Sequence, residues 1–193
     1  MHNELKKLIQ SYSDITEDDW QLARPHFRTK KFRKGEYFFR AGEIEKEIGF
    51  ITRGSFRWYY INSKGDEANY WFLFEKNFMV EYGSFITQEP SEMYIEAMQD
   101  SEILSLSRDI VLDLYRQSHR WEHFGRNIAE AIYTKAASRM QDFQFRTAEE
   151  RYINLLETHP DIFQKVSLSH ISSYLGIKGP SLSRIRKRIA HIR

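Results

Sequence analysis

The chain changes its rhythm once, near Ser107, and that change limits the folds open to it. Before this point, short aromatic and β-branched runs are cut by glycines at Gly35, Gly42, Gly49, Gly54 and Gly65. In the clearest run Phe56, Trp58 and Tyr60 fall on one face and Arg57, Tyr59 and Ile61 on the other. Asn62-Ser63-Lys64-Gly65-Asp66 then supplies a turn, and Tyr70, Phe72 and Phe74 alternate again, which predicts a hairpin. The pattern reads as an antiparallel sandwich or barrel. Two short helices precede it. Leu5, Leu8 and Ile9 stand at helical spacing within Glu4 to Gln10, and a second helix runs from Glu17 toward Arg24, capped by Asp14 or Thr16 and stopped by Pro25.

After Ser107 the apolar spacing is helical to the end. Ser107-Arg108-Asp109 opens a short amphipathic stretch through Leu112 and Tyr115. A longer helix from about Trp121 to Phe145 carries Phe124, Ile128, Ile132, Ala136, Met140 and Phe143 on one stripe. At 1.5 Å per residue it would be roughly 37 Å long. Few other helices are available to cover that stripe, so a second copy of the chain is its natural partner, with Phe124, Ile128, Ile132, Ala136 and Met140 as candidate dimerisation residues. Packing on its own barrel alone is the other reading. Thr147 caps the next helix, with Glu149 and Glu150 in its first turn and Tyr152, Ile153, Leu155 and Leu156 as apolar positions; His159-Pro160-Asp161 breaks it. A helix over His170 to Leu175, a turn at Gly176-Ile177-Lys178-Gly179 and a last helix from Pro180 through Ala190, with Leu182, Ile185 and Ile189 inward, together read as a helix-turn-helix. Lys178, Ser181, Ser183, Arg184, Arg186, Lys187 and Arg188 are then the candidate DNA-binding residues, and Pro180 suits the first helical turn.

The formal charge supports that direction once it is divided along the chain. The total is +2, but residues 1–100 hold 14 Lys+Arg against 17 Asp+Glu, and residues 101–193 hold 15 against 10. Lys178 to Arg193 contains six Lys+Arg and no acidic residue, a concentration that attracts a polyanion. The absence of cysteine excludes disulfides, thiolate zinc sites, cysteine-ligated iron-sulfur clusters and a cysteine nucleophile. No apolar run approaches the roughly 20 residues that cross a bilayer, and Met1 to Gln10 is polar, so a cytoplasmic protein without a membrane partner is expected. A cupin-like metal-dependent enzyme would need paired histidines and a glutamate, yet no histidine lies between His26 and His119. His119 and His123 lack a third ligand nearby, and Glu81, Glu92 and Glu96 are paired with no nucleophile or metal. No catalytic residue, metal site or cofactor is therefore expected. A barrel serving as a protein-interaction module is a further alternative.

Lys34-Gly35-Glu36-Tyr37-Phe38-Phe39-Arg40-Ala41-Gly42-Glu43, followed by Phe50-Ile51-Thr52-Arg53-Gly54-Ser55-Phe56-Arg57, resembles the opening of the cyclic-nucleotide-binding barrel in bacterial regulators of the cyclic-AMP receptor protein and fumarate-nitrate regulator family. Ile171-Ser172-Ser173-Tyr174-Leu175-Gly176-Ile177 through Leu182-Ser183-Arg184-Ile185 is similar to that family's DNA-binding core. The resemblance implies an α+β fold: a jelly-roll barrel of the double-stranded β-helix type with short amino-terminal helices over 1–106, a linker and dimerisation helix over 107–146, and a helix-turn-helix domain over 147–193 whose wing is absent or minimal. It implies a homodimeric transcription regulator that binds inverted-repeat half-sites in double-stranded DNA and works with RNA polymerase. In nucleotide-binding members a Gly-Glu pair precedes an Arg-Ser or Arg-Thr pair, the glutamate taking the ribose hydroxyl and the arginine the cyclic phosphate. Here Val80 replaces the glycine before Glu81, and Ser91 and Glu92 stand where the arginine and its neighbour belong. The candidate effector pocket is therefore Glu81, Ser91, Glu92 and Arg57, with Arg57 or Arg53 as substitute cation. Burying a phosphate beside Glu92 without a paired cation is unfavourable, so cyclic AMP is not expected to bind in the usual way and any small-molecule effector is unknown. At the start of the recognition helix Gly179-Pro180 replaces the family's Arg-Glu, while Arg184 keeps its later arginine.

Overall fold

The amino-terminal helices are set by one capping box and one buried face. In the computed structural model, which describes residues 2–190, α1 (His2–Tyr12) buries Leu5 and Ile9. Of the two expected caps for α2 (Glu17–Ala23), Thr16 serves: its hydroxyl accepts from the Asp19 amide (3.2 Å), and the Asp19 carboxylate accepts from the Thr16 amide (3.0 Å). A 3-10 turn at Arg24–His26 holds Pro25. Eight strands follow: β1 (Arg28–Phe32), β2 (Tyr37–Phe39), β3 (Glu47–Arg53), β4 (Ser55–Ile61), β5 (Glu67–Phe74), β6 (Phe78–Met79), β7 (Met93–Ala97) and β8 (Ser101–Ser107).

These strands make two four-stranded antiparallel sheets, ordered β1-β8-β3-β6 and β2-β7-β4-β5. Of the sandwich and the barrel that the glycine spacing allows, the strands form two separate sheets, each with its own edges. β6 spans only two residues and β2 only three, with a register shift between Tyr37 and Phe39, so neither is long enough to carry a ladder from one sheet into the other. The expected hairpin is β4 and β5, joined by Asn62, whose side chain accepts from the Lys64 and Asp66 amides (2.9 and 3.1 Å). Gly54 links β3 to β4 at φ +98°, and a Cβ there would fall within 3 Å of Ser101, so both conformation and space require glycine. A helix that the period-two pattern did not predict, α3 (Tyr82–Thr87), lies between β6 and β7.

The helical half contains α4 (Arg108–Gln117), α5 (His119–Phe145), α6 (Ala148–Thr158), α7 (Ile162–Lys165), α8 (Leu168–Tyr174) and α9 (Gly179–Ala190). Thr147 caps α6 through a second capping box with Glu150. The turn between α8 and α9 is Leu175 to Lys178, one residue earlier than expected, since Gly179 already belongs to α9. The chain divides into two compact units, one reaching Tyr60 and resuming from Trp71 to Ile132, the other comprising Ile61 to Tyr70 and the chain from Tyr133. In the first, Leu5, Ile9 and Trp20 pack with Phe50, Leu104 and Leu106 of the strands and with Val111, Leu114 and Trp121. Phe124 and Ile132 of α5 pack against this same core, and Phe124 meets the rings of Tyr12, Phe78 and Trp121 at 6.3, 5.6 and 5.5 Å. Among the described residues no helix is long and apolar enough to cross a membrane, and no group of three His, Cys, Asp or Glu is arranged to hold a metal ion.

Candidate functional site

The second unit presents α9 on a small helical support. α8 is capped by Ser167, whose hydroxyl accepts from the His170 amide (3.3 Å), and it buries Ile171 and Ser172. Gly176, at φ +68°, turns the chain; a Cβ there would stand 2.7 Å from the Phe143 ring. Two arginines hold the carbonyl end of α8, where the helix dipole is negative. Arg151 donates to the Leu175 carbonyl through Nε (3.2 Å) and Nη2 (3.0 Å), and Arg139 donates to the Tyr174 carbonyl (3.0 Å). Both guanidinium groups lie over Phe143, at 4.9 Å for Arg139 and 4.7 Å for Arg151. The sequence reading missed this cluster, because its members lie far apart in the chain and each looks like an ordinary solvated arginine or a member of an apolar stripe.

α9 buries Leu182 and Ile185. With about 100° between successive residues, the opposite side of the helix carries Pro180, Ser183, Arg184 and Lys187, all exposed. The remaining candidates lie on the flanks. Arg186 stands over the Phe163 ring of α7 at 4.9 Å, and Arg188 is ion-paired with Glu149 of α6. Lys178 is exposed in the turn, and Ser181 is half-buried with its hydroxyl 3.5 Å from Arg184 Nη2. Arg184 is further steadied by donating Nε–H to the Pro180 carbonyl (3.4 Å). Of the seven candidates, Ser183, Arg184 and Lys187 share the outward row, whereas Arg186 and Arg188 are turned toward neighbouring helices.

In the first unit three of the four expected effector residues, Glu81, Ser91 and Arg57, are engaged with the protein itself. Glu81 is buried and caps α3, its carboxylate accepting from the Ser84 amide at 2.6 Å. Ser91 is bonded through its backbone to Gly42 (2.8 Å) and Glu43 (3.2 Å), and Glu92 is exposed. Arg57 is buried and paired with Glu96, donating to Oε2 through Nε (3.1 Å) and Nη2 (2.6 Å), while its guanidinium lies 4.0 Å over the Tyr59 ring. Arg57 and Glu96 face each other in the β4–β7 register, and Tyr59 stacks on its own register partner, Tyr94, at 5.0 Å. Arg53 is exposed. Behind Glu81 sits a carboxyl that the sequence did not announce: Glu45, 3% exposed, accepts from the backbone amides of Lys46 (3.0 Å), Glu47 (3.2 Å) and Glu81 (3.3 Å). Burial outweighs those hydrogen bonds and pushes its pKa up to about 7.

Residues 29–118 match the family model described as the cyclic nucleotide-binding domain. Among solved structures the chain is similar to FixK2 from Bradyrhizobium japonicum (TM-score 0.73, 16% identity, covering 86% of this chain and 85% of that one). It is also similar to a putative transcriptional regulator of the Crp/Fnr family from Eubacterium rectale (TM-score 0.73, 15% identity, 92% and 84%). A third is the c-di-GMP responsive global regulator CLP of Xanthomonas campestris (TM-score 0.68, 14% identity, 91% and 92%). No curated protein matches the sequence. The chain thus has the fold of these solved regulators, and in the stretch that the family model matches Val80 and Glu81 are buried and the Arg57 guanidinium is held by Glu96.

Proposed function

We propose that the chain is a homodimeric, sequence-specific DNA-binding transcription regulator in which α8 and α9 are the helix-turn-helix. The observation that carries this reading is the outward row on α9, Pro180, Ser183, Arg184 and Lys187, backed by buried Leu182 and Ile185. Arg184 reads base edges in the major groove beside Ser181 and Ser183, while Lys187 and Lys178 meet phosphates. Arg186 and Arg188 act from the flanks, where Phe163 and Glu149 hold them. Two recognition helices related by a twofold axis read inverted half-sites about one helical turn, roughly 34 Å, apart. Such a regulator works in the cytoplasm and meets RNA polymerase at the promoter. No catalytic residue, metal or resident cofactor is assigned.

The sensor does not take cyclic AMP in the usual mode: it either answers to another small molecule or has lost sensing. Three features support this: Glu81 spends its carboxylate on α3, Ser91 replaces the phosphate-binding arginine, and Arg57 is committed to Glu96. One solved neighbour, CLP, is named as responsive to cyclic di-GMP, so the fold accommodates another effector. Selection of duplexes from a random library by the full chain, followed by titration at two salt concentrations, tests the DNA reading. Arg184→Ala should relax preference at one base position, worth about 1–3 kcal/mol, and Lys187→Ala should weaken all duplexes evenly and lower the salt slope by about one. Enrichment of no duplex, or wild-type behaviour in both variants, overturns it. Saturable micromolar binding of cyclic AMP in calorimetry overturns the sensor reading.

A further inference from the structure

β5 is the last strand of its sheet, so one of its edges faces no strand. Backbone groups of Glu67 and Asn69 are instead taken by side chains of two helices. The Ser173 hydroxyl of α8 donates to the Glu67 carbonyl (2.6 Å) and accepts from the Asn69 amide (3.0 Å), as a neighbouring strand would. Arg139 of α5 donates through one nitrogen both to the Asn69 carbonyl (3.1 Å) and to the Tyr174 carbonyl (3.0 Å). Its guanidinium lies over the rings of Tyr174 (4.0 Å) and Tyr70 (5.4 Å). The Asn69 side chain is buried with no hydrogen-bond partner, so the strand is held here through its backbone. All these groups belong to the second unit, which includes the hairpin tip from Ile61 to Tyr70 although most of β4 and half of β5 belong to the first.

A hydroxyl that donates to one backbone group and accepts from another two residues along fixes α8 to a single register on β5. A four-residue turn then carries that register to α9, so the placement of α8 decides where Ser183, Arg184 and Lys187 point. We propose that the β4–β5 hairpin is a positioning element of the DNA-reading helices, fastened by Ser173 and Arg139 as positioning residues. This rests on the DNA reading above and adds to it the contact that sets the placement of α8.

The deciding pair of variants in the full chain is Ser173→Val and Ser173→Thr, which add the same branched shape and differ only in that threonine keeps the hydroxyl. Ser173→Val should speed hydrogen exchange at the Asn69 amide about tenfold and weaken the selected duplex about three- to tenfold, while Ser173→Thr stays within about twofold of wild type in both. Equal behaviour of the two variants overturns the proposal, as does faster exchange with unchanged duplex affinity, which would make the contact structural only. Should the wild-type chain select no duplex, the DNA reading fails by itself. Exchange at the Ile171, Leu175 and Leu182 amides then decides the positioning role: faster in Ser173→Val alone supports it, and no change overturns it.

Discussion

Asp19 shows how much of the first unit rests on one carboxylate. It is 7% exposed and accepts from the Thr16 amide, the Thr16 hydroxyl (2.6 Å) and the Ser118 hydroxyl (2.6 Å), with Arg120 at 3.7 Å; its backbone carbonyl takes the Trp121 indole N–H (2.9 Å). Burial pushes its pKa up, but the hydrogen bonds and Arg120 outweigh burial and hold it below the usual carboxylate value. A depressed pKa contributes stability above the unfolded value and loses it as pH falls through the folded one, so Asp19 stabilises the chain at neutral pH and not in acid. Asp19→Ala should cost about 2–4 kcal/mol in urea unfolding at pH 7, and less than the sum when combined with Ser118→Ala, because both changes break one network. Glu45 behaves oppositely. Its raised pKa means that the folded state holds the proton longer, so its stabilisation is complete below about pH 4.5 and is lost as pH rises to about 7. Glu47, which adds to the upward shift, is itself ion-paired with Lys30. Glu45→Gln should flatten the fall in melting temperature between pH 5 and pH 8, a change on the order of 2 kcal/mol. Neither role was legible in the sequence: Asp19 and Ser118 are 99 residues apart, and Glu45 sits between charged neighbours that suggest a solvated loop.

At the level of elements, the parts with a local cause were legible and those with a tertiary cause were not. The β4–β5 hairpin follows from alternation and the turn from Asn62 to Asp66, α6 from its capping box, and the long helix from its stripe; α5 begins only two residues before the expected Trp121. α3 was hidden because its N-cap is a glutamate and its six residues present no stripe. The glycine spacing left sandwich and barrel open, because strand length, rather than strand count, decides whether a sheet can close. Gly125 separates these two kinds of cause. In the middle of α5 glycine is a poor helix former, and alanine would be expected to gain about 1 kcal/mol. A Cβ there would instead fall within 3 Å of the Tyr115 ring, whose burial raises its hydroxyl pKa to about 12. Gly125→Ala should therefore destabilise the chain by about 1–3 kcal/mol, whereas Gly179→Ala, with nothing within 4 Å, should be neutral or slightly stabilising. Thermal unfolding of the two variants against wild type checks both signs.

For the molecule as a whole, the division of charge was legible and the division of α5 was not. The basic excess of residues 101–193 pointed to a polyanion, and the fold places its densest part on α9. The apolar stripe of α5, by contrast, is one pattern serving two purposes, and periodicity alone does not distinguish them. Phe124 and Ile132 are used by the core of their own unit, while Tyr133 and Met140, 75% and 58% exposed, are left apolar and uncovered on either side of half-buried Ala136. The proposed dimer should accordingly depend on the later part of the helix. A carboxylate at position 140 would have to be desolvated between two copies, so Met140→Glu should raise the dimer dissociation constant at least about tenfold without lowering the melting temperature of the monomer. Sedimentation over a concentration series reads the first quantity. The same variant should lose affinity for a duplex with two half-sites yet bind a single half-site as wild type does, because α9 is untouched. A wild-type sedimentation profile in Met140→Glu, or an equal loss on one and two half-sites, would remove α5 as the dimer contact and leave the proposed twofold reading of DNA without its structural basis.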